Sequence, residues 1–195
     1  MMLTWPCQLF LVIFFSLSLS LSLSLFILFY LFFFVVVGQE LRAAINLDAV
    51  SRSLNPLLLS VAVSAGPAVI SGAYDLSALH GYVDWFNVMN YDYNGPWSSV
   101  TDSHTPMASY AGLDIPTTIN IFLNAGVPRT KIVMGLASYG RGWTLQDPNS
   151  HGLGAPATGP SNAGKYTSEP GLLAYYELMN LAASGTVVFD SFSQV

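Results

Sequence analysis

The chain has 195 residues, 52% of them hydrophobic and only 9% charged, with a formal net charge of −5. Soluble domains carry about 25% charged residues. A nucleic-acid binder needs clustered Lys and Arg to neutralise phosphates, and the six here are scattered, which excludes that class. The one cysteine, Cys7, rules out an intrachain disulfide and a cysteine-based zinc site. His80, His104 and His151 show no metal-ligand spacing, so no metal and no cofactor are expected.

Residues 1–37 contain no Asp, Glu, Lys or Arg. Their apolar run, Phe10 to Val37, outlasts the roughly 7–15 residues of a signal-peptide core and exceeds the ~20 residues that cross a bilayer. Three readings stand side by side for this leader, taken as residues 1–38. It is a cleaved signal peptide, a membrane anchor over residues 7–37, or a spurious translation of a dinucleotide repeat, which would give the Ser-Leu alternation. No charge precedes it to set an orientation. Membrane contact is expected only through this leader.

After Gly38 the texture becomes that of an ordinary globular domain. Glu40 to Ile45 predicts a helix with Leu41, Ala44 and Ile45 on one face, and Asn55-Pro56 halts the helical segment after it. "LLLSVAVSA", Leu57 to Ala65, predicts a strand buried on both faces, ended by Gly66-Pro67. "YDLSALHGY" reads as a short helical turn or loop. "DWFNVMNYD", Asp84 to Asp92, predicts a second buried strand, and the turn pair Asn94-Gly95 leads on to Pro96 and Trp97. "PTTINIFLNAG" predicts a helix with Pro116 in its first turn, Ile119, Phe122 and Leu123 on one face, and Gly126 and Pro128 beyond its end. "KIVMGLASYG", Lys131 to Gly140, predicts the third strand. Strand, helix, strand at this spacing implies a parallel sheet. From Trp143 the chain is rich in Gly, Pro, Asn and Ser, as a linker or as an insertion of loops and small strands. "LLAYYELMN" then predicts a helix and "GTVVFD" a strand.

In this order and spacing, "LLLSVAVSAG", "FNVMNYD" followed by "NGPW", "KIVMGLASYGRGWTL" and "GLGAPATGPSNAGKYTSEPGLLAYYEL" resemble glycoside hydrolase family 18, the chitinases and chitinase-like lectins. The resemblance implies an α/β fold, a partial TIM (β/α)₈ barrel. Residues 39–142 would hold strands five to seven of eight, and residues 143–195 the start of a small α+β insertion domain. It implies chitin or an N-acetylglucosamine oligosaccharide as partner and a secreted protein. Active sites of such barrels lie at the carboxyl ends of the strands. There the resemblance gives Tyr91 a hydrogen bond to the acetamido oxygen of the sugar, Asp92 support of the catalytic acid, and Met89 the floor. Trp97 would stack on a neighbouring sugar, and Tyr139 and Arg141 would approach from the next strand. Taken by itself, Asp92 would equally cap the turn that follows it, and Trp97 would be a surface aromatic.

Family 18 enzymes use the substrate's own acetamido group as nucleophile. By resemblance their one acid is the Glu of an Asp-x-x-Asp-x-Asp-x-Glu motif. That motif does not occur in this sequence, and Glu40, Glu169 and Glu177 do not take its place. No catalytic acid can therefore be named; Tyr91 and Asp92 would be supporting residues. The expectation is a chitinase-like domain without hydrolytic activity. The alternatives are a lectin-like chitin-binding module and a truncated fragment without function, of marginal stability because three barrel strands leave two edges open.

Overall fold

The computed structural model describes the backbone of residues 19–194 and the side chains of residues 33–194. Three strands form the central sheet in the order β1 (Ser60–Ser64), β2 (Trp85–Met89), β3 (Ile132–Met134), and both pairings are parallel. The register runs from Ser60 against Trp85 to Ser64 against Met89, and from Phe86 against Ile132 to Val88 against Met134. Strand order and direction are those expected from the sequence. Burial differs. Along β1 only Val63 is fully buried, and Leu57 and Leu58, which lead into it, are exposed. Along β2, Phe86 and Val88 are fully buried while Trp85, Asn87 and Met89 are half-buried. The sheet thus reads as one covered and one open face. Val63, Phe86 and Val88 turn to a core shared with Ile70, Leu76, Leu79, Val83, Ile115, Phe122 and Val127. Among the described residues, no strand pairs with the outer edge of β1 or of β3.

The helices α1 (Leu19–Arg52), α2 (Pro67–Ala73), α3 (Leu76–Leu79) and α4 (Ile115–Asn124) supply the cover. Residues 1–18 of the apolar leader lie outside the described residues, and the rest of it continues without a break into α1. Among the described residues, no helix is long and apolar enough to cross a membrane. The inward stripe of α1 is not Leu41, Ala44 and Ile45: Leu41 and Ala44 are exposed, and the stripe runs through Gly38, Arg42, Ile45 and Ala49. A purely apolar reading of the period skips Arg42, which sets the phase. Its Nε donates to the Tyr82 carbonyl at 2.8 Å and its Nη2 to Asp84 Oδ2 at 2.6 Å. Asp84 also accepts from the Leu59 N–H at 2.6 Å. That backbone bond, ahead of the Arg42 contact, holds its carboxyl below the usual carboxylate range. One carboxylate therefore ties α1 to the entries of β1 and β2.

Asp114 caps α4, accepting from the Thr117 N–H at 2.8 Å and from the Ser109 N–H at 3.0 Å. The buried stripe of α4 is Ile115, Thr118 and Phe122, and Phe122 meets Phe86 edge to face with ring centres 5.6 Å apart.

Lys131 to Gly140 is not one strand. β3 ends at Met134, and Tyr139–Arg141 is a separate strand, β4, antiparallel to β7 (Leu172–Ala174). The chain leaves the parallel sheet at Gly135, whose N–H donates to the Val88 carbonyl at 2.8 Å. A Cβ there would lie 2.7 Å from that oxygen and 3.1 Å from Tyr91 Cε1, so glycine lets the strand peel away while still touching β2. The segment after it holds small strands, with β5 (Trp143–Leu145) antiparallel to β6 (Ala157–Pro160), followed by α5 (Tyr175–Ala182). "GTVVFD" forms no strand; Val187, Val188 and Phe189 are exposed. β-branched content favours a strand only where a partner offers its hydrogen bonds, and none does so among the described residues.

Gly135→Ala is expected to destabilise the fold by about 1–3 kcal/mol, the usual cost of forcing a group into a filled space, measured as a lowered urea midpoint at unchanged slope. A midpoint equal to that of the parent would show that the strand does not need this close approach.

Candidate functional site

At the carboxyl end of β2 the chain turns through a buried polar relay. Asn90 donates from Nδ2 to the Tyr93 hydroxyl at 3.0 Å, Tyr93 donates to Thr118 Oγ1 at 2.7 Å, and Thr118 donates to the Ala65 carbonyl at 2.7 Å. All three side chains are buried, so the relay fixes the ends of β1 and β2 against α4. Between Asn90 and Tyr93 it leaves Asp92 in the left-handed region, at φ 62°. Asp is one of the few residues that tolerate this conformation. The turn aims its carboxylate across to β4.

There Asp92 meets Arg141 fork to fork, with Nε donating to Oδ1 and Nη2 to Oδ2, both at 2.8 Å. The Tyr139 hydroxyl hydrogen-bonds to the same carboxylate. Burial pushes the Asp92 carboxyl up, but the bonds from Arg141 and Tyr139 outweigh it, and it sits below its usual range. Burial first, and then the bond to Asp92, raise the Tyr139 phenol. The bond to Asp92 raises Arg141 further. The cluster is thus a fixed ion pair with a neutral phenol beside it.

Aromatic groups surround the pair. Tyr91 meets Tyr139 edge to face at 5.8 Å. The Arg141 guanidinium lies 5.4 Å from the centre of the Trp97 ring and 5.3 Å from that of Tyr139. Trp97 keeps 63% of its surface exposed. Gly95 lets the indole fold back, because a Cβ there would run into the ring.

Of the six residues named from the sequence, five gather here: Tyr91, Asp92, Trp97, Tyr139 and Arg141. Met89 ends β2, half-buried, on the sheet face away from the helices. Asp92 spends its carboxylate on Arg141 rather than on the following turn, where Asn94 Nδ2 instead donates to the Ser103 carbonyl at 2.8 Å. Trp97 is anchored rather than a loose surface ring. Sequence reasoning missed two neighbours. His104 Nδ1 lies 3.8 Å from Asp92 Oδ1, and Glu169 Oε1 lies 3.8 Å from Arg141 Nη1. Neither has a periodic or motif signal, since each arrives on a loop.

The remaining carboxylates have structural partners or lie elsewhere. Glu177 is buried at the start of α5, where it accepts from the Thr167 hydroxyl, from the Tyr166 N–H at 2.8 Å and from the Ala174 N–H at 3.2 Å. The Thr167 bond is the main cause that holds it below the usual range. Among the described residues, no group of three or more His, Cys, Asp or Glu is placed to hold a metal ion.

The three-stranded parallel sheet thus carries an Asp–Arg pair, phenols and an open indole beyond its carboxyl end. The family model for glycosyl hydrolases family 18 matches residues 33–195, and the chain belongs to that family. It is 40% identical over 149 residues to an oviduct-specific glycoprotein of Sus scrofa, covering 74% of this chain and 28% of that protein. Among solved structures it resembles TsES1, described as an immunomodulatory active chitinase from Trichuris suis, with a TM-score of 0.78 and 34% identity, covering 82% of this chain and 45% of that one. It also resembles human YKL-39, described as a pseudo-chitinase with retained chitooligosaccharide binding properties, with a TM-score of 0.79 and 29% identity, over 83% of this chain and 47% of that one. The chain spans about a quarter of that curated relative's length and under half of each of these solved chains.

The Asp92 carboxyl, held below its ordinary 3.8, contributes stability that is present above that value and lost as pH falls through its folded pKa. In Arg141→Ala, burial acts with less opposition, so the Asp92 midpoint is expected to rise, and the protein to lose about 1–2 kcal/mol at neutral pH, a figure kept low because Asp92 is partly in water. Carboxyl-carbon NMR titration of the variant checks this; an unmoved midpoint would contradict the pairing.

Proposed function

We propose that the cluster of Tyr91, Asp92, Trp97, Tyr139 and Arg141 is a chitooligosaccharide-contacting subsite that binds without hydrolysing in this chain. The observation that supports it most is the forked Asp92–Arg141 pair beneath the open Trp97 indole. The indole offers an apolar plate to a pyranose face. The Tyr91 hydroxyl and the outward edge of Asp92 offer hydrogen bonds to an acetamido group, and Met89 supplies the floor. An extracellular setting, where such polymers are met, goes with this reading, as do domain limits at 39–142 and 143–195.

The inactivity follows from charge. A general acid must hold a proton near the working pH. The carboxylate at the heart of the cluster is Asp92, and Arg141 keeps it ionised. Glu169 stands at the rim, 62% exposed by side chain and paired loosely with Arg141. The Asp92 arrangement lowers its carboxyl instead of raising it toward neutral pH.

Purified full chain is expected to release no fluorophore from a chitobioside substrate above the buffer rate, and turnover that persists in Asp92→Asn would refute the argument from charge. With a chitin hexamer, the Trp97 indole N–H signal is expected to shift with millimolar affinity. The stacked contact contributes about 0.5–1.5 kcal/mol beyond area burial, taking aromatic pairs as the guide, and each hydrogen bond about 1 kcal/mol, against about 4–15 kcal/mol for association. No shift at saturating hexamer, or a micromolar constant indifferent to Trp97→Ala, would reject this subsite.

A further inference from the structure

His104 is unused by the sugar reading, yet it is built into the cluster. Its side chain is only 14% exposed. Its ring lies 5.1 Å from the Tyr139 ring, and its own carbonyl accepts from the Tyr93 N–H at 3.1 Å, which fixes the loop that carries it. The imidazole hydrogen-bonds to the Tyr139 backbone. Nδ1 has no hydrogen-bond partner although it is buried, and it stands 3.8 Å from Asp92 Oδ1. Oδ1 is the same oxygen that accepts from Arg141 Nε. With its single proton on Nε2, a neutral imidazole would turn a lone pair on Nδ1 toward the carboxylate oxygen, an arrangement without attraction. A proton on Nδ1 reverses this, and a small ring movement then makes a charge-assisted hydrogen bond.

We propose that His104 is a positioning residue for Asp92: on taking a proton at Nδ1 it donates to Asp92 Oδ1 in competition with Arg141 Nε, and so changes how the carboxylate is presented at the sugar-facing edge in mild acid. The charged and titratable groups that face the imidazole are Asp92 from the turn after β2 and Tyr139 and Arg141 from β4. Burial is the main influence and lowers His104 below its ordinary 6.5, Asp92 works the other way, and Arg141 adds to the lowering. Its folded value being depressed, His104 contributes stability that is present above 6.5 and falls away as pH drops from there toward the folded value. The coupling is a property of the free protein; only its consequence for ligand rests on the subsite reading above.

The test is a paired NMR titration of the full chain, following the His104 ring nitrogens and the Asp92 carboxyl carbon from neutral pH downward. The expected result is a His104 midpoint below 6.5, with a second, separate step in the Asp92 signal at that same midpoint, above its own titration. Asp92→Asn should lower the His104 midpoint further, because the charge that favours the imidazolium is gone. His104→Gln should abolish the step at Asp92 and leave the far-ultraviolet spectrum unchanged. An Asp92 signal that stays flat through the His104 midpoint, or a midpoint unmoved by Asp92→Asn, would overturn the proposal; should His104→Gln not fold, these two measurements decide alone. A chitin hexamer titration above and below the His104 midpoint then separates the two readings. Affinity that changes with pH in the parent and not in His104→Gln supports the full proposal. Coupling without any hexamer shift at either pH leaves the His104–Asp92 link standing and removes the sugar.

Discussion

The ion pair between Asp92 and Arg141 is the constraint on which the site depends. It joins two parts that do not share a sheet: the turn after β2 and the strand β4. Each partner is presented by a backbone departure from the regular strand. Asp92 takes a left-handed conformation after the buried relay of Asn90, Tyr93 and Thr118. Arg141 is reached only because the chain peels away from β2 at Gly135. With both held, the guanidinium lies over both the Trp97 and the Tyr139 rings. A planar, permanently charged fork suits this double use in a way that an ammonium would not.

The same pair decides the chemistry the cluster supports. Bidentate bonding keeps Asp92 anionic and acceptor-only, while burial and the neighbouring charge keep Tyr139 neutral. Such a site accepts amide and hydroxyl donors and offers an aromatic surface, which is a binding chemistry. Proton delivery to a leaving oxygen needs the opposite environment, a carboxyl in apolar surroundings without a cationic partner. Family membership is therefore compatible with the proposed reading, in which these residues would supply contact and not acid.

The sheet that carries the site has one dry side. Helices α2 to α4 close over Val63, Phe86 and Val88, and α1 is fastened to strand entries by Arg42 and Asp84. The other face and the outer edges present Ala62, Val133, Met134 and Leu136 to solvent. Parallel strands ordinarily have both faces covered. The stability of the described part consequently rests on the helix side of the sheet and on the polar ties at the strand ends.

The sequence by itself determined the strand order, the α4 helix with its Pro start, and the set Tyr91, Asp92, Trp97, Tyr139 and Arg141, because each sits in a local pattern: a β-branched run, a turn pair, a proline in a first helical turn, or a family motif. Periodicity alone misjudged what depends on a partner. It put Leu41 and Ala44 on the inner face of α1, since no hydrophobic scale allows for Arg42 seeking Asp84 across the fold. It ran Lys131 to Gly140 as one strand, since local propensity cannot see that Gly135 must approach the Val88 carbonyl. It made a strand of "GTVVFD", whose residues lack a pairing edge among the described residues. His104 and Glu169 were silent for the same reason: they come to Asp92 and Arg141 on loops, where position is set by long-range contacts and not by any spacing along the chain. Which carboxylate oxygen faces which donor, and therefore the charge of the site, was decided by tertiary structure alone, because an ion pair between residues far apart in sequence exists only once the chain has folded.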